Sequence, residues 1–286
     1  MQANQATGNI MNRRHFLKTT AATTLGSALL PLANSAAKSD ANSMATYDGF
    51  KVGLQSFSLR NFDLPGCLER TERLDLHYLE PYSGHIKVTT DPAKLAELKK
   101  LFASHGIKPS GYFVDEFGES VGSNRDKFEF ARALDLKLLV GAPAKEHFAS
   151  LDVLVEEFGI PVAVHNHGPG SVYATIADVE KALEGRHKLI GICIDTGHFL
   201  RSDQDPVKAV RTFGERTYGV HLKDLDKDKN SQVLGKGTLD TVGLLRALKK
   251  TNYQNCLVLE YEEHPEDPMA EIGECLRVLR EIVKQV

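Results

Sequence analysis

Apolar runs alternate with amphipathic stretches from Lys51 almost to the last residue. The runs 51–58, 77–82, 108–114, 137–142, 161–165, 190–195, 218–221 and 257–260 read as strands. Most are continuously apolar rather than alternating, which is the pattern of a parallel sheet covered on both faces. Helical patterns fill the gaps at 64–73, 91–104, 123–134, 145–157, 172–183, 205–213, 240–250 and 266–284. Asp91-Pro92 supplies a cap followed by proline at the first helical position. Segments 240–250 and 266–284 space apolar residues three and four apart with charge between them. Eight strand–helix pairs predict an α/β fold, a single (β/α)8 TIM barrel. The alternative is an open doubly wound sheet, but no glycine-rich phosphate loop follows the first strand. No internal repeat, low-complexity tract or second domain interrupts the pattern.

The first fifty residues do not share this rhythm. Asn12-Arg13-Arg14-His15-Phe16-Leu17-Lys18 is a twin-arginine motif, followed by a mildly apolar stretch, 21–33, and by the small residues Asn34-Ser-Ala-Ala37. The expected division is a twin-arginine export signal at 1–37, a linker at 38–50 and a barrel at 51–286. The apolar stretch is shorter than the roughly 20 residues of a membrane span. A periplasmic or secreted protein, free of the membrane after cleavage, is the expectation. The remaining length also matches the roughly 250 residues of one barrel.

Charge narrows the partners. The whole chain carries −3, and the first 37 residues hold three basic groups and no acid, so the remainder is more acidic still. That argues against nucleic acid or an anionic membrane as partner. The four cysteines, Cys67, Cys193, Cys256 and Cys275, form no Cys-x-x-Cys pair. Export would permit a disulfide, but Cys193 and Cys256 sit inside apolar strand runs and read as buried free thiols.

Four of the strands end in groups that bind metals. They read Val162-Ala-Val-His165-Asn-His167, Ile192-Cys-Ile-Asp195-Thr-Gly-His198, Tyr218-Gly-Val-His221-Leu-Lys223-Asp224 and Leu257-Val-Leu-Glu260-Tyr-Glu262. The successive spacings between His165, Asp195, His221 and Glu260 are 30, 26 and 39 residues, those of successive strand–helix units. In a closed barrel these side chains meet at the C-terminal rim, where such barrels carry their chemistry. Burying four such groups separately would be costly without a shared partner. Two imidazoles and two carboxylates suit Mn²⁺, Co²⁺, Fe²⁺ or Zn²⁺; Mg²⁺ and Ca²⁺ prefer more oxygen, and no thiolate suggests structural zinc. Glu80 ends the second strand in Leu79-Glu80-Pro-Tyr82-Ser-Gly-His85 and is a candidate for acid/base help or hydroxyl binding, with a rim ion pair as the alternative. His85, Tyr112, Asp115 and Glu116 are weaker candidates at the same rim. Lys223 points with His221 and could hold a substrate oxygen or pair with an acid such as Glu262. The segment 223–229 alternates lysine with Asp224, Asp226 and Asp228 and reads as a solvated loop.

Asp195-Thr-Gly-His198, His221-Leu-Lys-Asp224, Gly235-Lys-Gly237 and Leu259-Glu260-Tyr resemble the sugar phosphate isomerase/epimerase group of the xylose isomerase-like barrel superfamily. The resemblance spans the chain from Lys51 onward. It implies one divalent metal ion, Mn²⁺ first, with Co²⁺, Fe²⁺, Zn²⁺ or Mg²⁺ as alternatives. The implied ligands are His165, Asp195, His221 and Glu260. It implies further that His198 touches substrate, that Glu260 doubles as a catalytic carboxylate, and that a homo-oligomer forms. The chain departs from the ketose 3-epimerase pattern at the strand-five ligand, which is glutamate there and His165 here. Six residues on, a second glutamate is replaced by Ser171. His167 is the natural substitute base, and the reverse assignment, with His167 as ligand, stays open.

These parts imply abstraction of the proton α to a sugar carbonyl, giving a metal-stabilised enediolate. Returning the proton gives epimerisation or isomerisation, whereas loss of a β substituent gives elimination. The leading expectation is a metal-dependent epimerase or isomerase of a non-phosphorylated keto sugar or keto glycoside. The alternative is a periplasmic lyase or hydrolase that opens an oxidised (3-keto) glycoside. A nuclease of the same superfamily and a non-catalytic sugar-binding barrel are the remaining readings. Catalytic roles are expected for Glu260, His167, Glu80 and Lys223, and substrate contacts for His198 and His85.

Overall fold

The computed structural model describes residues 47–286, and the expected export signal and most of the linker lie outside them. The eight expected strands are present: β1 Lys51–Gln55, β2 Tyr78–Glu80, β3, β4 Leu139–Gly141, β5 Val162–His165, β6 Ile190–Asp195, β7 Thr217–Leu222 and β8 Cys256–Leu259. β3 is split into Lys108–Pro109 and Tyr112–Phe113. Its first half pairs with β2 and its second with β4, and β1 pairs with β8, so all neighbours are parallel and the sheet closes through β3. The Phe113 amide also donates to the Pro81 carbonyl at 2.9 Å, which stitches the two edges together. This is the TIM barrel expected from the alternation.

The helices α1 Leu64–Arg73, α2 Pro92–Ser104, α3 Val121–Ala133, α4 Phe148–Phe158, α5 Ile176–Leu183, α6 Thr196–Arg201, α7 Pro206–Phe213, α8 Thr241–Lys250 and α9 Met269–Val283 wrap the sheet. Short polar side chains start most of them: Asp63, Asp91, Asp205 and Asp240 each accept an amide of the first turn, and Ser120 and Thr175 form capping boxes. Outward strand residues such as Ile192, Ile194, Val220 and Leu222 join the helices in the main apolar cluster, whereas Leu138, Val140, Ala163 and Cys193 form a small cluster inside the barrel. All four cysteines are free and buried, as expected for Cys193 and Cys256. Among the described residues no helix is long and apolar enough to cross a membrane.

Three expectations need correction. The first strand stops at Gln55, and Ser56–Leu59 curls into a 3-10 turn because the Gln55 side chain accepts the Phe57 amide. The expected linker does not extend to residue 50, because Tyr47 and Phe50 are buried in the core and Asp48 pairs with Lys249. The 223–229 segment is not wholly solvated either, since Lys223 and Asp224 are buried.

Asp224 holds the loop that follows β7. Its carboxylate accepts the amides of Gly235 at 2.8 Å, Gly237 at 3.0 Å and Leu239 at 2.9 Å, besides that of Leu225. Gly235 adopts φ +81°, and a Cβ at Gly237 would lie 2.3 Å from Asp224 Oδ1. Both glycines of the Gly235-Lys-Gly237 pattern therefore serve this carboxylate. Asp224→Ala should leave these amides without their acceptor and cost about 3 kcal/mol. Thermal unfolding should then shift down by roughly 10 °C. An unchanged melting temperature would show that the loop is held by something else.

Candidate metal and acid–base centre

Barrel register brings the four strand ends together. His165 lies level with Cys193, Asp195 with His221, and His221 with Val258, two residues before Glu260. Alternation along each strand points His165, Asp195, His221 and Glu260 inward. One ligand atom from each lies within 4.8 Å of the others, and all four residues are buried. His165 Nε2 stands 3.1 Å from His221 Nδ1 and 3.4 Å from Asp195 Oδ2, and His221 Nδ1 lies 3.1 Å from Glu260 Oε2. The cluster thus contains His165, and His167 stands beside it, with Nδ1 3.4 Å from His165 Nδ1.

The Asp-Thr-Gly-His segment acquires a physical reading residue by residue. Asp195 Oδ1 caps α6 by accepting the His198 amide at 2.8 Å, which leaves Oδ2 for the cluster. Thr196 Oγ1 accepts the Lys223 amide at 2.8 Å and lies 2.7 Å from the Lys223 carbonyl. A Cβ at Gly197 would lie 2.7 Å from Lys223 Cβ, so glycine makes room for that lysine. His198 then enters the cavity with His165 and His167, at ring separations of 5.9 and 5.0 Å. In His165-Asn-His167, the Asn166 side chain clamps the Asp195 backbone from both sides, at 2.8 and 3.0 Å.

Lys223 reaches three carboxylates: Glu262 at 2.8 Å, Asp195 at 3.1 Å and Glu260 at 3.3 Å. The pairing expected with Glu262 is therefore present, and it extends into the cluster. Glu80 lies beneath the cavity rather than in its wall. Its Oε1 accepts His221 Nε2–H at 2.8 Å and a Gln55 Nε2–H at 2.9 Å. The expected place at the cavity is thus corrected to one under His221. His85 is also displaced from the expectation: its ring donates to the Phe62 carbonyl at 2.9 Å, packs on Tyr82 and does not line the cavity. Tyr112 turns away to the Ile86 carbonyl.

The cavity above the cluster has a volume of about 380 Å³. A larger cleft of about 910 Å³ opens at the opposite end of the barrel, around Lys51, Tyr78, Lys108 and Cys256, far from these groups. Beside the cluster residues, the smaller cavity is lined by Gln55, Phe57, Tyr82, Phe113, Asp115 and Glu262. Of these, Gln55, Phe57, Tyr82 and Phe113 are not among the candidates drawn from the sequence. A polar residue closing an apolar strand run was the available signal for Gln55; the two phenylalanines read simply as core.

Protonation follows from burial and neighbours. Burial drives the His165 imidazole down to about 3, so it is neutral at pH 7. Burial likewise lowers His167 and His198 from their ordinary values. Burial opposes ionisation of Asp195 and Glu260, yet Lys223 and the adjacent imidazoles hold Asp195 well below the carboxylate range and Glu260 at about 2. At His221 burial works against protonation, but Cys193, Glu80 and Glu260 hold its pKa well above normal. The resulting set is two ionised carboxylates, one neutral imidazole and one imidazolium.

These groups fit a divalent cation. Asp195 Oδ2 is buried with no hydrogen bond of good geometry, the Lys223 ammonium standing close but out of angle. An orphaned buried oxygen in a cluster of two nitrogens and two oxygens is what a mixed-ligand ion would satisfy.

The model of the xylose isomerase-like TIM barrel family matches residues 68–282. The chain belongs to that family. An inosose dehydratase of Geobacillus kaustophilus is 27% identical over 281 residues, covering 77% of this chain and 90% of the relative. A D-tagatose 3-epimerase-like structure superposes with TM-score 0.66 at 20% identity, covering 82% of this chain and 99% of that one. A structure of the IOLI protein with a bound zinc atom gives TM-score 0.64 at 19% identity, covering 82% and 99%. The two structural likenesses establish the shared barrel.

A metal ion must displace the proton that His221 carries, because His165, Asp195 and Glu260 are already deprotonated. Titration of the metal-free protein with Mn²⁺ or Co²⁺ at pH 7 should therefore release about one proton per ion. Calorimetry in two buffers of different ionisation enthalpy reads that number, and His221→Ala should abolish the saturable binding. Saturable binding without proton release would contradict the protonation set given above.

Proposed function

We propose that this chain is a divalent-metal-dependent lyase. It removes the proton α to the carbonyl of a non-phosphorylated keto sugar, keto glycoside or cyclic keto polyol and expels a β substituent. The observation that carries the reading is the pair of neutral imidazoles, His167 and His198, lining the cavity beside the cluster, with Ser171 where the ketose 3-epimerase pattern has its second glutamate. The dehydratase relatives support elimination as the second half-reaction.

The residues divide the work. A metal ion held by His165, Asp195, His221 and Glu260 would act as a Lewis acid toward the substrate carbonyl. His167, neutral at pH 7, accepts the α proton, and the C–H electrons form a carbon–carbon double bond toward the carbonyl carbon. The Lys223 ammonium offsets negative charge developing on the substrate oxygen. The β carbon–oxygen bond breaks as the carbonyl re-forms. His167, now an imidazolium, gives that proton to the departing oxygen, and neutral His198, 5.0 Å away between ring centres, is placed to relay it. Phe57, Tyr82 and Phe113 give the cavity an apolar wall that suits the C–H face of a sugar ring.

Substrate charge follows from the same lining. Lys223 is the lining residue with a fixed positive charge, and three carboxylates already surround it. A phosphate group would find no clamp there. The Arg13-Arg14 motif supports action outside the cytoplasm, where free and glycosidic sugars are the available substrates.

Epimerisation is the second reading. Glu260 and His167, from different strands, both line the cavity and could exchange a proton with one carbon. Proton NMR in D₂O separates the two. With a panel of keto sugars and 3-keto glycosides, elimination predicts aglycone or water loss, and epimerisation predicts deuterium at the α carbon of an intact sugar. Glu260→Gln should abolish both. No exchange or product from the metal-loaded protein with any substrate would sink the enzymatic reading.

A pH profile tests the base. The neutral form of His167 is active and its pKa is lowered from 6.5, so the acid limb of kcat/KM should lie below pH 6.5. His167→Gln should lose most activity and remove that limb. An unaltered profile would take the role from His167.

A further inference from the structure

The geometry points to Glu80 and Gln55 as a buried positioning pair that selects Nδ1 of His221 as its ligand atom and strengthens that nitrogen's hold on the metal. This rests on the reading of the cluster as a metal site. Gln55 and Glu80 are direct cross-strand neighbours on β1 and β2, with exposures of 1% and 2%. Both are almost wholly buried, Gln55 at the floor of the cavity and Glu80 beneath it, so each polar atom calls for a partner. Gln55 Oε1 accepts the Phe57 amide at 2.9 Å, which fixes the amide so that its NH₂ faces Glu80. Its Nε2–H then donates to Glu80 Oε1 at 2.9 Å. The same oxygen accepts His221 Nε2–H at 2.8 Å.

The position of Glu80 has been given room. A Cβ at Gly111 would lie 3.1 Å from Glu80 Oε2, and Gly111 falls in the break between the two halves of β3. The interruption of β3 therefore coincides with the place where a charged side chain must fit inside the barrel. With Nε2 tied to Glu80, the ring presents Nδ1 upward, 3.1 Å from both His165 Nε2 and Glu260 Oε2. A carboxylate that accepts the remote N–H of a ligating imidazole fixes ring orientation and raises the donor strength of the other nitrogen.

Glu80 touches neither the cavity nor the reacting atoms, so its effect should appear in the metal equilibrium. Affinity for Co²⁺ alone, measured by chelator competition, should fall about 10- to 100-fold in Glu80→Ala. In the isosteric Glu80→Gln, which keeps a hydrogen-bond acceptor but no charge, the loss should sit at the low end of that range. Gln55→Met should weaken binding by a smaller factor, because Glu80 keeps its charge and loses only its anchor. Circular dichroism of each variant establishes that it is folded. Histidine ¹⁵N NMR of the Zn²⁺-loaded protein supplies an independent readout. His221 should show a protonated Nε2 in the wild type, with that proton exchanging faster with solvent in Glu80→Ala. Folded Glu80 variants that bind Co²⁺ as tightly as wild type, or a zinc-loaded His221 protonated on Nδ1, would overturn the assignment. Failure of the wild type itself to bind Co²⁺ would instead overturn the metal reading on which it rests.

Discussion

The structure depends on a knot of buried charge at the C-terminal mouth of the barrel. Asp195, Glu260 and Glu80 are ionisable groups with 0%, 8% and 2% exposure, and charges taken that far from water are strongly unfavourable unless paired. Lys223 and His221 supply the pairing. Lys223 bridges Asp195, Glu260 and Glu262, and His221 bridges Glu80 and Glu260. Removing either cation would strand at least two carboxylates in the barrel. The cluster is therefore an unpromising source of stability and an expected place for function, since perturbed ionisations gather where chemistry needs them.

Holding such a knot requires a backbone that cannot drift, and the polar residues around it act on backbone rather than on one another. Asn166 grips the Asp195 peptide, and Thr196 grips the Lys223 peptide. Ser56 and Ser58 accept the amides of Tyr82 and Tyr261, tying the 3-10 turn after β1 to the loops after β2 and β8. Asp224 gathers the loop after β7. Apart from Asp224, which acts within its own loop, these links join neighbouring βα loops, those after β5, β6 and β7 in one set and those after β8, β1 and β2 in another. A dispersed set of loops is thereby converted into a site held closely enough for a metal ion and its acid–base partners.

Where sequence was enough, one physical rule sufficed. A polar residue at the end of an apolar strand run in a closed parallel barrel must sit at the rim, and His165, Asp195, His221 and Glu260 obeyed that rule. Lys223 was placed by the same alternation. The rule fails where a residue serves two structures at once. Asp195 reads as a strand-end ligand, and nothing in its position announces that it also starts α6. Ser56-Phe-Ser-Leu59 alternates like a strand, but the Gln55 side chain curls it. Asp224 looks like one charge in a balanced loop, and only the fold shows four amides converging on it. Glu80 and His85 fall in one segment, yet the short β2 buries the first under His221 and the turn after it carries the second away. Depth within a barrel depends on strand stagger, which a run of letters does not carry.

His165 gives the site its particular character. Where the ketose 3-epimerase pattern has a glutamate, this chain has an imidazole that burial keeps neutral. As a ligand set, the cluster would carry two negative charges instead of three, matching those of a dication. Loss of the carboxylate also removes a base from that side of the cavity. The imidazoles that replace it behave differently from a glutamate: a neutral imidazole is the stronger base, and the imidazolium it becomes can still give up its proton near neutral pH. A group that takes a proton easily at pH 7 and gives it up easily afterwards suits a reaction whose leaving group must depart protonated. It suits less well one that must hold carbon acid and carbon base in balance on two faces. On the proposed reading, the exchange of one ligand would thus be coupled, through charge and through proton inventory, to the choice between elimination and epimerisation.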